Sequence, residues 1–157
     1  MSKTKLFVYG TLKKGQPNHY FMESLTSATF VGKGKTVSVH PLVIGKSNLP
    51  MLIDHKSYGK QVNGEVYEVD ADDLRDLDRF EGHPDFNNRR EIDILVSYGD
   101  KNVVEKCATY FITNYAPEML QQRCYENYDS YADHGIPYDI SENPNHPDNV
   151  QSSSQSS

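Results

Sequence analysis

The loop sequence Tyr9-Gly10-Thr11-Leu12-Lys13-Lys14-Gly15-Gln16-Pro17-Asn18 comes directly after the apolar run Leu6-Phe7-Val8. The apolar run is typical of a short strand, and the glycines and proline after it predict a turn-rich loop rather than a second strand. In such a loop several backbone N–H groups have no strand partner and lie at the end of the strand. Proteins use that arrangement to bind a carboxylate or a developing oxyanion. We therefore expect an anion-binding loop at the end of the first strand.

Short strands account for much of the remaining chain. Valine, isoleucine, tyrosine and phenylalanine cluster in runs that are separated by glycine, asparagine and aspartate, which is the pattern of strands joined by turns. The predicted strands are Lys5–Tyr9, Ala28–Val31, Thr36–Ile44, Gln61–Val69, Arg90–Leu95 or slightly beyond, and Glu105–Phe111.

Two segments have the features of helices. Asn18–Leu25 is predicted to form a short helix with Asn18 as its N-cap. Ala71–Phe80 is apolar along one face, follows the N-capping residue Asp70, and is ended by Gly82. Together with the strands, these helices predict a small α+β domain in which a mixed β-sheet curls into a barrel-like shape.

The chain of 157 residues is long enough for one domain with its own core. We assign residues 1–140 to that domain and residues 141–157 to a flexible polar tail. The tail ends in serine and glutamine, and such a composition buries too little apolar surface to offset the entropy lost on ordering.

Charge and composition argue against several classes of protein. The formal net charge of −6 does not suit a surface for nucleic acid or anionic membrane, because both need clustered lysine and arginine. No apolar run is long enough to cross a membrane, and no signal peptide precedes the first strand. Cys107 and Cys124 match neither a metal cluster nor a disulfide framework. We therefore expect a cytoplasmic protein with reduced thiols and no metal. We also expect a monomer, although the composition does not determine the oligomeric state.

An acidic residue, Glu81, lies at or just past the C-terminal end of the second predicted helix, in the sequence Leu77-Asp78-Arg79-Phe80-Glu81-Gly82. Helix carbonyls, the nearby Asp78 and an apolar wall would each disfavour its ionised form and raise its pKa toward the range of a general base. The alternative is an ordinary surface glutamate that pairs with Arg79 or Arg89. Local sequence alone favours this alternative, because solvated acids are commoner than perturbed ones.

The loop and Glu81 together resemble the gamma-glutamylcyclotransferase-like superfamily, and within it the gamma-glutamylaminecyclotransferase branch. The resemblance covers most of residues 5–138, which is far more than a single short motif. The similar stretches are Tyr9–Asn18, Pro41–Ile44, Asn48–Pro50, Gly64–Tyr67, Tyr128–Tyr131 and His134-Gly135.

The resemblance reverses the interpretation of Glu81 and assigns roles to the loop. It implies that Glu81 is the catalytic acid and base, and that Tyr9, Gly10, Thr11 and Leu12 hold the gamma-glutamyl group. The implied reaction is attack of the substrate's own alpha-amine on its gamma-amide carbon, which forms 5-oxoproline. Nucleophile and electrophile then belong to one small molecule, so the resemblance implies neither a metal nor an organic cofactor.

Two side chains of the expected site keep alternative interpretations. Tyr110 lies on a late strand where the family has a tyrosine near the ligand, and its hydroxyl would orient Glu81 or the substrate. It is equally well interpreted as a core tyrosine with a satisfied hydroxyl. Thr11 at a strand end is often only part of a turn, so its role rests on the motif and mainly on its backbone.

The branch resemblance implies L-gamma-glutamyl-L-epsilon-lysine as the type of substrate, with 5-oxoproline and lysine as products. Met51 stands where an aromatic residue is expected in this branch, and a position lining the leaving-amine side would alter specificity. One alternative function is a cyclotransferase for gamma-glutamyl amino acids or glutathione. The other is a module of the same fold that binds a small ligand or a partner without turnover.

Overall fold

The computed structural model describes residues 3–45, 49–55 and 58–130. The helices are α1 (His19–Ser24) and α2 (Ala71–Glu81), with a 3-10 helix at Pro117–Gln121. The strands are β1 (Thr4–Val8), β2 (Thr29–Thr36), β3 (Leu42–Ile44), β4 (Pro50–Leu52), β5 (Asn63–Val69), β6 (Asn88–Tyr98) and β7 (Lys101–Phe111). The predicted polar tail at 141–157 lies outside the described residues.

Five strands close into a barrel in the order β1-β5-β2-β6-β7. Neighbouring strands are antiparallel except β1 and β7, which close the barrel in parallel with Leu6 opposite Ala108. The remaining two strands form a separate antiparallel hairpin, β3–β4, which joins the end of β7 through a bridge between Ile53 and Ile112. This architecture confirms the prediction of a small barrel-like mixed sheet with a few short helices.

Successive side chains of β1 face alternately into the barrel and toward the helices. Phe7 belongs to a core cluster with residues of β5, β6 and β7, whereas Leu6 and Val8 belong to a second cluster with Leu77 of α2. Successive side chains of a strand point to opposite faces, so β1 is buried on both sides. The helices therefore pack on the outer face of the strand that leads into the loop.

Helix α2 begins at Ala71 as predicted and ends at Glu81, one residue beyond the predicted end at Phe80. The Asp70 side chain accepts a hydrogen bond from the Asp73 amide at 2.9 Å, which satisfies one free N–H of the first turn. At the other end Gly82 has φ +70°, and its amide donates back to the last turn. Glu81 is consequently the last residue of the helix.

Several predicted boundaries are wrong. The strand predicted at Ala28–Val31 extends to Thr36, and the strand predicted at Thr36–Ile44 is interrupted after its first residue. The Thr36 hydroxyl accepts from the Val62 amide and donates to the Ser38 carbonyl, which bends the chain out of the barrel. Only the end of that segment forms β3.

The predicted N-cap of the first helix and the predicted bounds of several other strands are also wrong. Asn18 makes no capping hydrogen bond, because its side-chain amide donates to the Thr11 hydroxyl at 2.9 Å. The short strand β4 was missed, β5 starts at Asn63 rather than Gln61, and β6 and β7 extend beyond their predicted bounds. Within the described residues, no helix is long and apolar enough to cross a membrane.

Candidate active site

Topology brings the loop after β1 and the end of α2 to the same edge of the barrel. β5 is antiparallel to β1, so it ends beside Thr4 at the start of β1. Helix α2 then runs back over eleven residues, about 16 Å, which is close to the length of β1. The parallel strand β7 ends at this edge as well, so Glu81, Tyr9 and Tyr110 meet there.

The loop after β1 folds back on itself and packs against the β3–β4 hairpin. The Asn18 amide donates to the Thr11 carbonyl at 2.9 Å, and the Lys13 amide donates to the Gly10 carbonyl at 3.2 Å. A Cβ on Gly10 would lie 2.9 Å from Cγ of Pro50, so only glycine allows this close approach. The amides of Thr11 and Leu12 donate no hydrogen bond to other described residues. They are candidates for binding an anion.

A buried lysine fixes the far side of this loop. Lys13 is 7% exposed, and its ammonium donates to Asn127 Oδ1 at 2.9 Å and to the Tyr128 carbonyl at 2.6 Å. Burial lowers the pKa of Lys13, although the charges of Glu65 and Asp129 partly oppose that effect. The segment after the 3-10 helix is thereby joined to the loop.

Glu81 has the electrostatic character of a general base. The residue is half-buried, and desolvation of its carboxylate raises its pKa from the usual 4.5 to about 7. Asn87 donates to Oε2 of this carboxylate at 3.0 Å and to the Glu81 backbone carbonyl at 2.9 Å. A carboxylate with such a pKa is present in both protonation states near neutral pH.

Glu81 pairs with neither Arg79 nor Arg89, the two partners that a surface glutamate would have here. Arg79 pairs with Asp76 one turn earlier on α2, and Arg89 pairs with Asp78 at 2.8 Å. Asp78 therefore does not act on Glu81 as the expected free negative charge. Burial favours the protonated form of Asp78, but hydrogen bonds from Arg89 and Tyr110 outweigh it and hold the pKa of Asp78 below its usual range. Burial alone accounts for the perturbed pKa of Glu81.

The half-buried Tyr9 and the buried Tyr110 lie beside Glu81. The Tyr9 hydroxyl donates to the Tyr110 carbonyl at 2.8 Å, and the Tyr110 hydroxyl donates to Oδ1 of Asp78 at 2.7 Å. Burial raises the pKa of both hydroxyls, and the charge of Glu81 raises them further. Tyr110 thus lies near Glu81 as expected, but its hydroxyl is oriented by Asp78 and does not contact the Glu81 carboxylate.

The other loop residues have structural side chains. Thr11 is buried, and its hydroxyl accepts the hydrogen bond from Asn18. Leu12 is 4% exposed and belongs to the core cluster that contains α2. The side chains of Thr11 and Leu12 are therefore engaged within the protein, and the role of these residues in binding a ligand stays a prediction.

Sequence reasoning missed Asn87 and Lys13, both of which contact the edge of the barrel. Lys13 bonds to Asn127 and Tyr128, which lie far along the chain, and Asn87 reaches Glu81 only through the path of a turn. No sequence motif identifies either set of partners. In the described ranges, no group of three or more histidine, cysteine, aspartate or glutamate side chains is placed to hold a metal ion.

Comparison with known proteins gives consistent similarities over most of the chain. The family model described as gamma-glutamyl cyclotransferase, AIG2-like, matches residues 6–132. A gamma-glutamylaminecyclotransferase of Rattus norvegicus is 44% identical over 145 residues, which cover 88% of this chain and 97% of that protein. The gamma-glutamylaminecyclotransferase of Homo sapiens is 37% identical over 149 residues, with the same coverage.

Solved structures agree with these similarities. The crystal structure of an AIG2-like protein from Mus musculus superposes with a TM-score of 0.83 at 41% identity, covering 88% of this chain and 96% of that one. The NMR solution structure of the protein A2LD1 superposes with a TM-score of 0.79 at 42% identity, covering 89% of this chain and 99% of that one. Fold and sequence are therefore similar to the same group of proteins across nearly their whole length.

Proposed function

This chain belongs to the gamma-glutamyl cyclotransferase, AIG2-like family, and we propose that it converts gamma-glutamylamines into 5-oxoproline and the free amine. Relatives that are 37–44% identical bear the name gamma-glutamylaminecyclotransferase, and the similarity extends over almost their whole length. The observation that carries the proposal is the carboxylate of Glu81, which has a pKa of about 7 and lies beside the loop that follows β1.

The proposed reaction is an intramolecular aminolysis. The alpha-amine of the substrate attacks its own gamma-carbonyl carbon, the new C–N bond closes a five-membered lactam, and the bond to the leaving amine breaks. Glu81 accepts a proton from the alpha-ammonium group and gives it to the leaving nitrogen as the C–N bond breaks. The second proton that the attacking nitrogen loses when the lactam forms is taken up by the released amine, which departs as an ammonium ion. A pKa of about 7 supports both steps, because Glu81 then accepts and releases a proton with similar ease.

The loop is proposed to bind the substrate and to stabilise the developing oxyanion. The amides of Thr11 and Leu12 are available for this purpose, and Gly10 allows the loop to approach the β3–β4 hairpin. One such donor typically contributes about 3–4 kcal/mol to transition-state stabilisation. Tyr9 and Tyr110 are proposed to form the wall of the site, and no step is assigned to a metal or an organic cofactor.

Cellular compartment and oligomeric state are proposed as well. We propose a cytoplasmic monomer, and two observations agree with a reducing compartment. Cys107 is buried in the core cluster that contains Phe7, and both it and Cys124 are free thiols.

For the leaving group we propose the epsilon-amine of lysine, as in L-gamma-glutamyl-L-epsilon-lysine. Met51, which differs from the aromatic residue expected there, is 8% exposed and packs with Val43 and Ile53. Its neighbour Pro50 is the residue that contacts Gly10. Met51 therefore lies in the hairpin that packs against the loop, next to the residue that approaches Gly10.

A substrate panel tests this function. Purified protein is incubated separately with L-gamma-glutamyl-L-epsilon-lysine, gamma-glutamyl-alanine and glutathione, and 5-oxoproline is quantified. We expect release from the isodipeptide alone. Release mainly from the other two compounds would assign the alternative cyclotransferase activity, and no release from any of them by folded protein would favour a binding module without turnover.

A further inference from the structure

Asn87 contacts Glu81 in a way that the reaction described above does not use. It lies in the turn between α2 and β6, and its side chain is 6% exposed. The side-chain nitrogen reaches both the backbone carbonyl of Glu81 at 2.9 Å and Oε2 of its carboxylate at 3.0 Å. A primary amide has two hydrogens, so one side chain satisfies both acceptors.

The chemistry of these partners fixes the orientation of the amide. A carbonyl oxygen and a carboxylate oxygen only accept hydrogen bonds, so the NH2 group of Asn87 has to face them. The two contacts join the backbone and the side chain of the same residue. The two contacts therefore restrain the Glu81 side chain, and Oε2 already accepts one hydrogen bond. No other described residue donates to Oε1.

We propose that Asn87 is a positioning residue that orients the Glu81 carboxylate and leaves Oε1 as the oxygen that exchanges the proton with the substrate. The proposal rests on the proposed function, since it assigns one oxygen of the general base to the reaction. A donor to the charged carboxylate favours the ionised form. Asn87 therefore opposes the effect of burial and keeps the base ionisable near neutral pH.

The other groups that face Glu81 do not take over this task. Tyr9 at the end of β1 and Tyr110 on β7 are kept protonated by burial, and their hydroxyls donate elsewhere. Behind Tyr110, Asp78 and Arg89 neutralise each other in an ion pair. Among the described residues, Asn87 alone donates a hydrogen bond to this carboxylate.

The test combines a direct titration of Glu81 with the pH profile of turnover. Asn87→Leu removes the donor at nearly constant volume, and Asn87→Asp keeps the shape while placing a second carboxylate beside the first. The matched control is Asn88→Ala, because the neighbouring Asn88 donates to Thr113 and not to Glu81. Carboxyl carbon chemical shifts from carbon-13 NMR report the pKa of Glu81 in each protein without reference to activity.

We expect the pKa of Glu81 to rise by about one pH unit in Asn87→Leu and by at least as much in Asn87→Asp. The acidic limb of kcat/KM for 5-oxoproline formation should move upward by the same amount, while the control matches wild type. An unchanged Glu81 pKa in either folded variant would overturn the proposal. If Asn87→Leu does not fold, Asn87→Ala takes its place, because it removes the same donor without adding a charge beside Glu81. A wild-type protein that releases no 5-oxoproline would refute the proposed function, and the NMR titration would still decide the role of Asn87.

Discussion

Replacing Glu81 with glutamine should stabilise this protein at pH 8 and have little effect near pH 4. The pKa of Glu81 is about 7 in the folded protein and 4.5 as its ordinary value. Between these two values the folded state holds a proton that the unfolded state has lost, so stability falls as the pH rises. Glutamine does not titrate, and its side-chain oxygen still accepts the hydrogen bond from Asn87.

The difference between the two pKa values corresponds to roughly 3 kcal/mol at a pH above both. Because Glu81 is only half-buried, solvent screening reduces this figure, and we expect about 2 kcal/mol. For a chain of this length, that is a rise of about 4–8 °C in Tm. The gain develops mainly between pH 5 and pH 7, where the wild-type protein loses it.

Urea unfolding at pH 4, 5, 6, 7 and 8 measures this difference, with tyrosine fluorescence as the signal because the chain has eleven tyrosines and no tryptophan. The matched control is Glu23→Gln on α1, where the glutamate is exposed. The reasoning is refuted when the stability difference between Glu81→Gln and wild type is the same at all pH values. A wild-type protein that is the more stable of the two at pH 8 would refute it as well.

Two further variants test the loop and the ion pair behind the site. Gly10→Ala places a Cβ 2.9 Å from Cγ of Pro50 and displaces the loop. We therefore expect kcat/KM for 5-oxoproline formation to fall roughly ten- to a hundredfold. The control Gly99→Asn, at a distant turn with φ +61°, should match wild type in the same assay. Asp78→Asn should cost about 1–2 kcal/mol in urea unfolding at pH 7, against under about 0.5 kcal/mol for the exposed Asp76→Asn. Because the pKa of Asp78 is lowered, this cost is present above pH 3.8 and disappears as the pH falls through the pKa of the folded state; equal costs for the two variants would contradict the account.

The sequence predicted those features of the fold that depend on local chemistry. The run Leu6-Phe7-Val8 forms β1, Asp70 caps α2, and Gly82 ends it, because apolar alternation, an N-capping carboxylate and a left-handed glycine act within a few residues. The order of these elements, together with the resemblance, was enough to predict the barrel.

Features that depend on contacts between distant segments were not predictable. The hydroxyl of Thr36 ends β2 by bonding to the Val62 amide, and no local rule identifies that partner. Asn87 follows Glu81 by six residues in a turn, and only the path of that turn brings its amide to the carboxylate. The prediction that the charge of Asp78 raises the pKa of Glu81 was wrong for the same reason. The sequence does not reveal that Arg89 neutralises Asp78.

The most direct test of the account is the rate of 5-oxoproline formation from L-gamma-glutamyl-L-epsilon-lysine by wild-type protein and Glu81→Gln, measured side by side at pH 8. We expect rapid release by the wild type and a loss of nearly all turnover in the variant, which still folds and still binds 5-oxoproline. A variant that retains the wild-type rate would contradict the central claim that Glu81 carries the proton.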